Sequence, residues 1–155
     1  MTYEVQVKDV PAMLVASIRT RASLATVGKE IQEAFARLGE VVGRVGFGDG
    51  MPGMITHEMP AEGSDDDMDV EIVMPIRERM EPPPGIDVRV LEGGTVASTI
   101  HRGRYDQVGR AYEALTAWIP AHGRDFGGPP REFYLNDPHE VGEDEALTEV
   151  RFPLS

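Results

Sequence analysis

Val70-Glu71-Ile72-Val73-Met74-Pro75 and Thr148-Glu149-Val150-Arg151-Phe152-Pro153 are two versions of one segment, an apolar-rich strand that closes on proline. The same order of features precedes both. Val15-Ala16-Ser17 and Val96-Ala97-Ser98 are matched strand cores. Each is followed by apolar residues at i, i+3, i+4 and i+7, the spacing of an amphipathic helix. The first stripe is Val27, Ile31, Ala34, Phe35, Leu38, Val41 and Val42; the second is Val108, Ala111, Tyr112, Leu115, Ile119 and His122. They register in turn, Val27 with Val108, Ile31 with Tyr112 and Leu38 with Ile119. A glycine-rich loop comes next in each half (46–53 and 123–130), then a short strand, then an acidic loop (62–67 and 140–145). Element order, loop character and the terminal proline agree, which marks a duplication.

The spacing predicts helices near 26–43 and 106–122. Gly123 stands where a left-handed C-terminal cap favours glycine, and Pro120 predicts a distorted last turn. Before the second helix, Gly103 permits an unusual backbone and Asp106 is a candidate N-cap. Between the halves lies Glu81-Pro82-Pro83-Pro84-Gly85, an extended connector by its prolines. The expected organisation is therefore a single domain over 1–155, with repeat 1 at 1–80, the linker at 81–85 and repeat 2 at 86–155. A half of about 75 residues makes a marginal core by size scaling. Two halves with helices over a mostly antiparallel sheet solve that problem, and the seam between them is an expected place for a ligand cleft.

The chain has 155 residues, 41% of them hydrophobic, and no cysteine. That composition is globular, and it excludes disulfides, thiolate nucleophiles and cysteine-type zinc sites. No apolar run is long enough to span a bilayer, and Met1 to Val10 lacks the apolar core of a secretory signal. A reducing cytoplasm is the simplest expectation. The net charge of −12 opposes direct binding to nucleic acid, whose affinity comes largely from basic side chains displacing counterions. The same charge suits solubility, cationic small molecules, or a protein partner that normally holds DNA.

Catalytic and cofactor signatures are missing. The serines have no Gly-x-Ser-x-Gly setting, and Gly46-Phe47-Gly48-Asp49-Gly50 opens no helix that could receive a phosphate. His57, His101, His122 and His139 have no metal-ligand spacing, and Asp65-Asp66-Asp67 lacks the alternating ligand order of a calcium loop. Neither a metal nor a cofactor is expected, and the acidic triplet reads as a solvated hairpin tip.

Arg131-Glu132-Phe133-Tyr134-Leu135-Asn136-Asp137-Pro138 is the informative segment. Strand alternation separates Phe133 and Leu135 from Glu132 and Tyr134. The apolar pair is expected to face the helix layer and the polar pair the opposite side. There the pair is either ordinary half-exposed strand or the wall of a cleft. A poorly hydrated carboxylate beside an aromatic face attracts an organic cation by charge and cation–π interaction. Tyr105, in His101-Arg102-Gly103-Arg104-Tyr105-Asp106, either packs under the helix or projects into a cleft. Tyr112 and Trp118, on or beside the apolar side of the second helix, read first as core.

The ordered set of His-x-Gly-x-Tyr at 101–105, Tyr112, Leu115 with Trp118-Ile119, Glu132 to Pro138, and Leu147-Thr148-Glu149-Val150-x-x-Pro153 resembles the GyrI-like domain. This is the effector-binding domain of BmrR-type and Rob-type transcription regulators. The match is strongest over 86–154, with the first half following by order and spacing. The resemblance implies an α+β fold of two tandem strand-helix-strand-strand (SHS2-like) modules. These would form an eight-stranded, mainly antiparallel sheet with two long helices and a ligand groove between the halves. The family's groove acid maps onto Glu132, with Tyr134, Tyr105, Tyr112 and Trp118 as candidate aromatic walls. By the repeat, Met54 and Thr56 stand where Glu132 and Tyr134 do, so Met54 would line the first half as adaptable filler.

The leading expectation is a stand-alone binder or sequesterer of amphipathic, cationic or planar small molecules, with no helix-turn-helix domain of its own. One alternative is a hydrolase of strained-ring toxic compounds, with Glu132 as its acid or base. Another is a protein that interacts with DNA gyrase. Turnover separates the first two, and a pull-down tests the third.

Overall fold

The computed structural model describes residues 3–23, 25–58 and 67–155. It contains eight strands with antiparallel pairings, two long helices and a short helical segment before the last strand. The expected α+β architecture is present. Most of the acidic loop expected at 62–67 lies outside the described residues. The matching segment at 140–145 forms part of a short helix, Pro138–Val141, and a following 3-10 turn.

The chain divides into two compact units, Ala12–Glu92 and Met1–Pro11 with Gly93–Ser155. This division departs from the boundary expected at the proline connector. Strand β1 (Gln6–Val10) pairs with β6 (Gly94–Arg102), whereas β5 (Asp87–Leu91) pairs with β2 (Met13–Ala22). Val10 precedes Val15 by the same interval as Leu91 precedes Val96, so β1 and β5 are themselves repeat equivalents. Each half therefore gives its first strand to the other unit. The prolines sit inside one unit, where Arg37 of the first helix donates to the Pro84 carbonyl at 3.2 Å.

In the Ala12–Glu92 unit the strands run β3 (Gly53–Glu58), β4 (Met68–Pro75), β2, β5. Helix α1 (Val27–Val45) packs on β2 and β4. Its buried residues are Val27, Ile31, Ala34, Leu38 and Val41, the stripe read from the sequence. Glu30 in the first turn and Arg44 in the last complement the helix dipole.

In the other unit the order is β1, β6, β8 (Leu147–Pro153), β7 (Arg131–Tyr134). Helix α2 (Gly109–Ala121) packs on β6 and β8, burying Ala111, Leu115 and Ile119 against Ala97, Val150 and Phe152. A 3-10 turn, Tyr105–Gln107, precedes it. Asp106 therefore lies within the turn and caps nothing; its carboxylate pairs with Arg104 at 3.4 Å. The helix passes through Pro120 and closes as expected on Gly123 at φ +69°, with the Arg124 N–H donating to the Ile119 carbonyl at 3.0 Å.

The exchanged strands carry matched ion pairs. Glu71 on β4 accepts from Arg89 of β5 at 2.8 and 2.6 Å and pairs with His57 at 2.9 Å. Glu149 on β8 pairs with Lys8 of β1 at 2.7 Å and accepts from Ser98 at 2.6 Å and Arg151 at 3.1 Å. Burial alone would raise both carboxyls. The partners overcome it and hold each at about 2. Ser17, the equivalent of Ser98, contributes beside Glu71, although its hydroxyl makes no bond within 3.5 Å. In each unit the carboxylate thus ties an edge strand to the strand beyond its neighbour.

Candidate ligand-binding site

Strand β7 is short, and both of its faces are covered. Glu132 is 1% exposed and Phe133 3%. Glu132 lies opposite Val150, which packs against α2, and Phe133 lies opposite Glu149. The expected faces are therefore inverted: Glu132 and Tyr134 look toward the helix, and Phe133 looks away. The side chains alternate as the sequence predicts, but polarity does not orient a strand buried on both sides. Phe133 is covered in part by the Arg151 guanidinium, 4.5 Å from its ring centroid.

Toward the helix, tyrosine hydroxyls converge on the Glu132 carboxylate. Tyr112 of α2 donates to Oε1 at 2.5 Å and Tyr134 donates to Oε2 at 2.8 Å. Tyr105 arrives from the 3-10 turn, and its hydroxyl also favours the charged carboxylate. Its ring meets Tyr134 edge-on, with centroids 5.9 Å apart. The three rings are only half-buried, although the carboxylate beneath them is enclosed. Burial pushes the Glu132 carboxyl above its ordinary range, against the opposing pull of Tyr105, Tyr112 and Tyr134. Burial and the adjacent negative charge push the Tyr105 and Tyr134 hydroxyls well above theirs, so both remain protonated donors.

Sheet register fixes the repeat equivalents of this cluster. Met54 pairs with Ile72 as Glu132 pairs with Val150, and Thr56 pairs with Val70 as Tyr134 pairs with Thr148. Ile31 occupies the helix position of Tyr112. At these three places one unit has isoleucine, methionine and threonine, and the other has two tyrosines and a carboxylate. The fold can fill the positions without ionisable groups, so their presence is not a packing requirement.

Trp118 and Met54 are the remaining candidates. Trp118 packs beside the α2 core and stacks on His122 with centroids 4.0 Å apart. Met54 is 2% exposed in the Ala12–Glu92 unit. Among the described residues no cluster of histidine and carboxylate side chains could hold a metal, and no helix is long and apolar enough to cross a membrane.

The cluster is thus a buried carboxylate beneath partly open aromatic rings. The family model described as the GyrI-like small molecule binding domain matches residues 3–155. The chain belongs to that family. No curated protein sequence matches it. Among solved structures it is similar to EcmrR in an EcmrR–DNA complex, with TM-score 0.87 and 23% identity over 99% of this chain and 57% of that one. The chain thus spans little more than half of full EcmrR. The EcmrR C-terminal domain alone gives TM-score 0.81 and 24% identity over 100% of this chain and 99% of that one. A hydrolase from Listeria innocua gives 0.74 and 14% identity over 98% of this chain and 92% of that one. SAV2435 bound to tetraphenylphosphonium gives 0.68 and 14% identity over 100% and 94%. At these identities the likeness speaks to the fold alone.

Proposed function

We propose that this protein binds amphipathic cations or planar compounds, with Glu132 supplying charge and Tyr105, Tyr112 and Tyr134 supplying aromatic walls. The observation that carries the reading is the replacement, within one duplicated fold, of Ile31, Met54 and Thr56 by Tyr112, Glu132 and Tyr134. Burying a carboxylate costs free energy unless a partner offsets it. Here neutral hydroxyls offset part of that cost, leaving a negative site that an organic cation stabilises further. Aromatic faces add cation–π attraction and stacking area. A lipophilic cation in the related SAV2435 structure supports this ligand class. Calorimetric titration with tetraphenylphosphonium tests the reading: saturable binding to one site is expected, and no heat or saturation at millimolar ligand contradicts it.

Hydrolysis is the second reading. A carboxyl raised by burial and held by tyrosines is suited to act as a general acid, and a structural neighbour is a hydrolase. Turnover of a strained-ring substrate that disappears in Glu132→Gln would establish it.

A further inference from the structure

A second buried network lies next to this site, centred on an imidazole. His101 on β6 is 2% exposed. It pairs with Thr148, which in turn pairs with Tyr134, so His101 shares a cross-strand row with the ligand-site tyrosine. Its Nε2 lies 2.9 Å from the Arg104 carbonyl. A carbonyl only accepts, so Nε2 carries the proton and donates. In the neutral ring Nδ1 then accepts, and the Tyr3 hydroxyl, 2.8 Å away, is its donor. The neighbouring Thr99 hydroxyl donates to the Glu4 carbonyl at 2.6 Å, so β6 holds the segment before β1 at two points.

The carbonyl that His101 grips belongs to the residue just before Tyr105. The turn leading there passes through Gly103 at φ +124°, whose N–H donates to the Ala146 carbonyl at 2.8 Å. Beyond Gly103, the other side-chain ties at Arg104 are ion pairs with Glu143 at 2.7 Å and Asp106 at 3.4 Å. Those groups are more than half exposed, and such pairs constrain geometry weakly. The Arg104 carbonyl also accepts from the Gln107 N–H at 3.0 Å within the 3-10 turn, so the imidazole supplies the buried side-chain restraint on this peptide. One residue later the Tyr105 ring meets Tyr134, a donor to Glu132.

We infer that His101 is a positioning residue for the ligand site: through the Arg104 carbonyl it sets Tyr105 beside Tyr134, the donor to Glu132, and through Tyr3 it ties that setting to the segment before β1. The consequence for ligands rests on the proposed role of Glu132, but the contact itself does not. The titratable groups that face Glu132 are Tyr112 from α2 and Tyr134 from its own strand, which donate to it, and Tyr105 from the turn, edge-on to Tyr134.

The test follows the carboxyl carbon of Glu132 by NMR through a pH titration of ligand-free protein. Tyr105→Phe removes a hydroxyl that favours the charged form and raises the midpoint. His101→Asn places its amide near the Nδ1 position, where it meets Tyr3 but falls short of Arg104. His101→Gln places a donor near the Nε2 position and keeps that bond. His101→Asn is expected to raise the midpoint as Tyr105→Phe does. His101→Gln should stay at the wild-type value, and the His101→Asn/Tyr105→Phe double variant should shift no further than Tyr105→Phe alone. An unshifted midpoint in Tyr105→Phe or His101→Asn overturns the inference. Equal shifts in the asparagine and glutamine variants, or additive shifts in the double variant, do the same. Because no ligand is present, failure of cations to bind would remove the proposed function and leave this readout intact.

Discussion

Tyr112 donates to Glu132 at 2.5 Å across the space between α2 and β7, in a place where the repeat supplies Ile31 and Met54. Duplication makes that difference informative. The two units share strand order, helix placement and even matched ion pairs behind their sheets, yet they differ in the chemistry of the helix-facing cluster. The shared parts answer to folding, and the part that differs is the candidate for function.

Stability should record the strain of the buried charge. The folded-state carboxyl of Glu132 is raised above its unfolded value, so its favourable contribution is complete below about pH 4.5. That contribution is lost as pH rises through the folded value. Glu132→Gln should therefore melt higher than wild type near pH 7, by roughly 2–4 °C per kcal/mol recovered, and the gap should close below pH 4. Thermal melts at both pH values check this. A variant that melts lower at neutral pH would show that the ionised carboxylate stabilises the fold.

The tyrosine hydroxyls should matter most when Glu132 is charged. Tyr112→Phe removes a donor to a buried carboxylate, a loss of about 1–3 kcal/mol. Chemical denaturation should show the larger deficit near pH 8 and a smaller one near pH 4. An equal deficit at both would reduce Tyr112 to packing against Phe152, its edge-on neighbour with centroids 6.0 Å apart.

Glu71 and Glu149 predict the opposite pH trend. Both are depressed to about 2 in the folded protein. Their stabilisation is present above the unfolded value near 4.5 and is lost as pH falls from there toward 2. The magnitude is on the order of 3 kcal/mol for each carboxylate. Replacing both with glutamine should flatten the acid limb of the stability curve between pH 5 and 2, at a cost near neutrality. An unchanged acid limb would mean that other carboxylates govern acid unfolding.

Much of this was legible in the residues themselves. The helices followed their apolar stripes, and the paired strands, Gly123 and the match of Glu132 to Met54 followed the repeat. The exchange of β1 and β5 was not, because a local pattern predicts a strand but not its partner. Its trace was the shared interval from Val10 to Val15 and from Leu91 to Val96, with Lys8 and Arg89 as equivalent cations. The orientation of β7 has no signal in its own residues, because the buried Glu132 is answered by the Tyr112 hydroxyl, 20 positions upstream, as well as by neighbouring Tyr134. The bond from His101 to Arg104 was within reach, since they lie three residues apart around a glycine. Its link to Tyr3 spans 98 residues and had no signal in the sequence.

Cation binding should be linked to protons. A permanent cation favours the ionised form of Glu132, so binding at a pH below the raised folded value must expel a proton. Affinity for tetraphenylphosphonium should fall as pH drops through that value. Calorimetry in two buffers of different ionisation enthalpy should then report proton release. No buffer dependence anywhere between pH 4 and 8 would separate Glu132 ionisation from binding.

The central claim is tested most directly by the affinities of wild type and Glu132→Gln for a matched pair of ligands, one cationic and one neutral, with the same aromatic frame. Glutamine keeps the shape and reach of glutamate but removes the charge. Neutralising one partner of a buried charge pair costs on the order of 2–5 kcal/mol, so the cation should lose at least tenfold in affinity. The neutral ligand, held by stacking and apolar contact, should lose little. Equal losses for both ligands, or no loss for either, would contradict the assignment of Glu132 as the charge that selects the ligand.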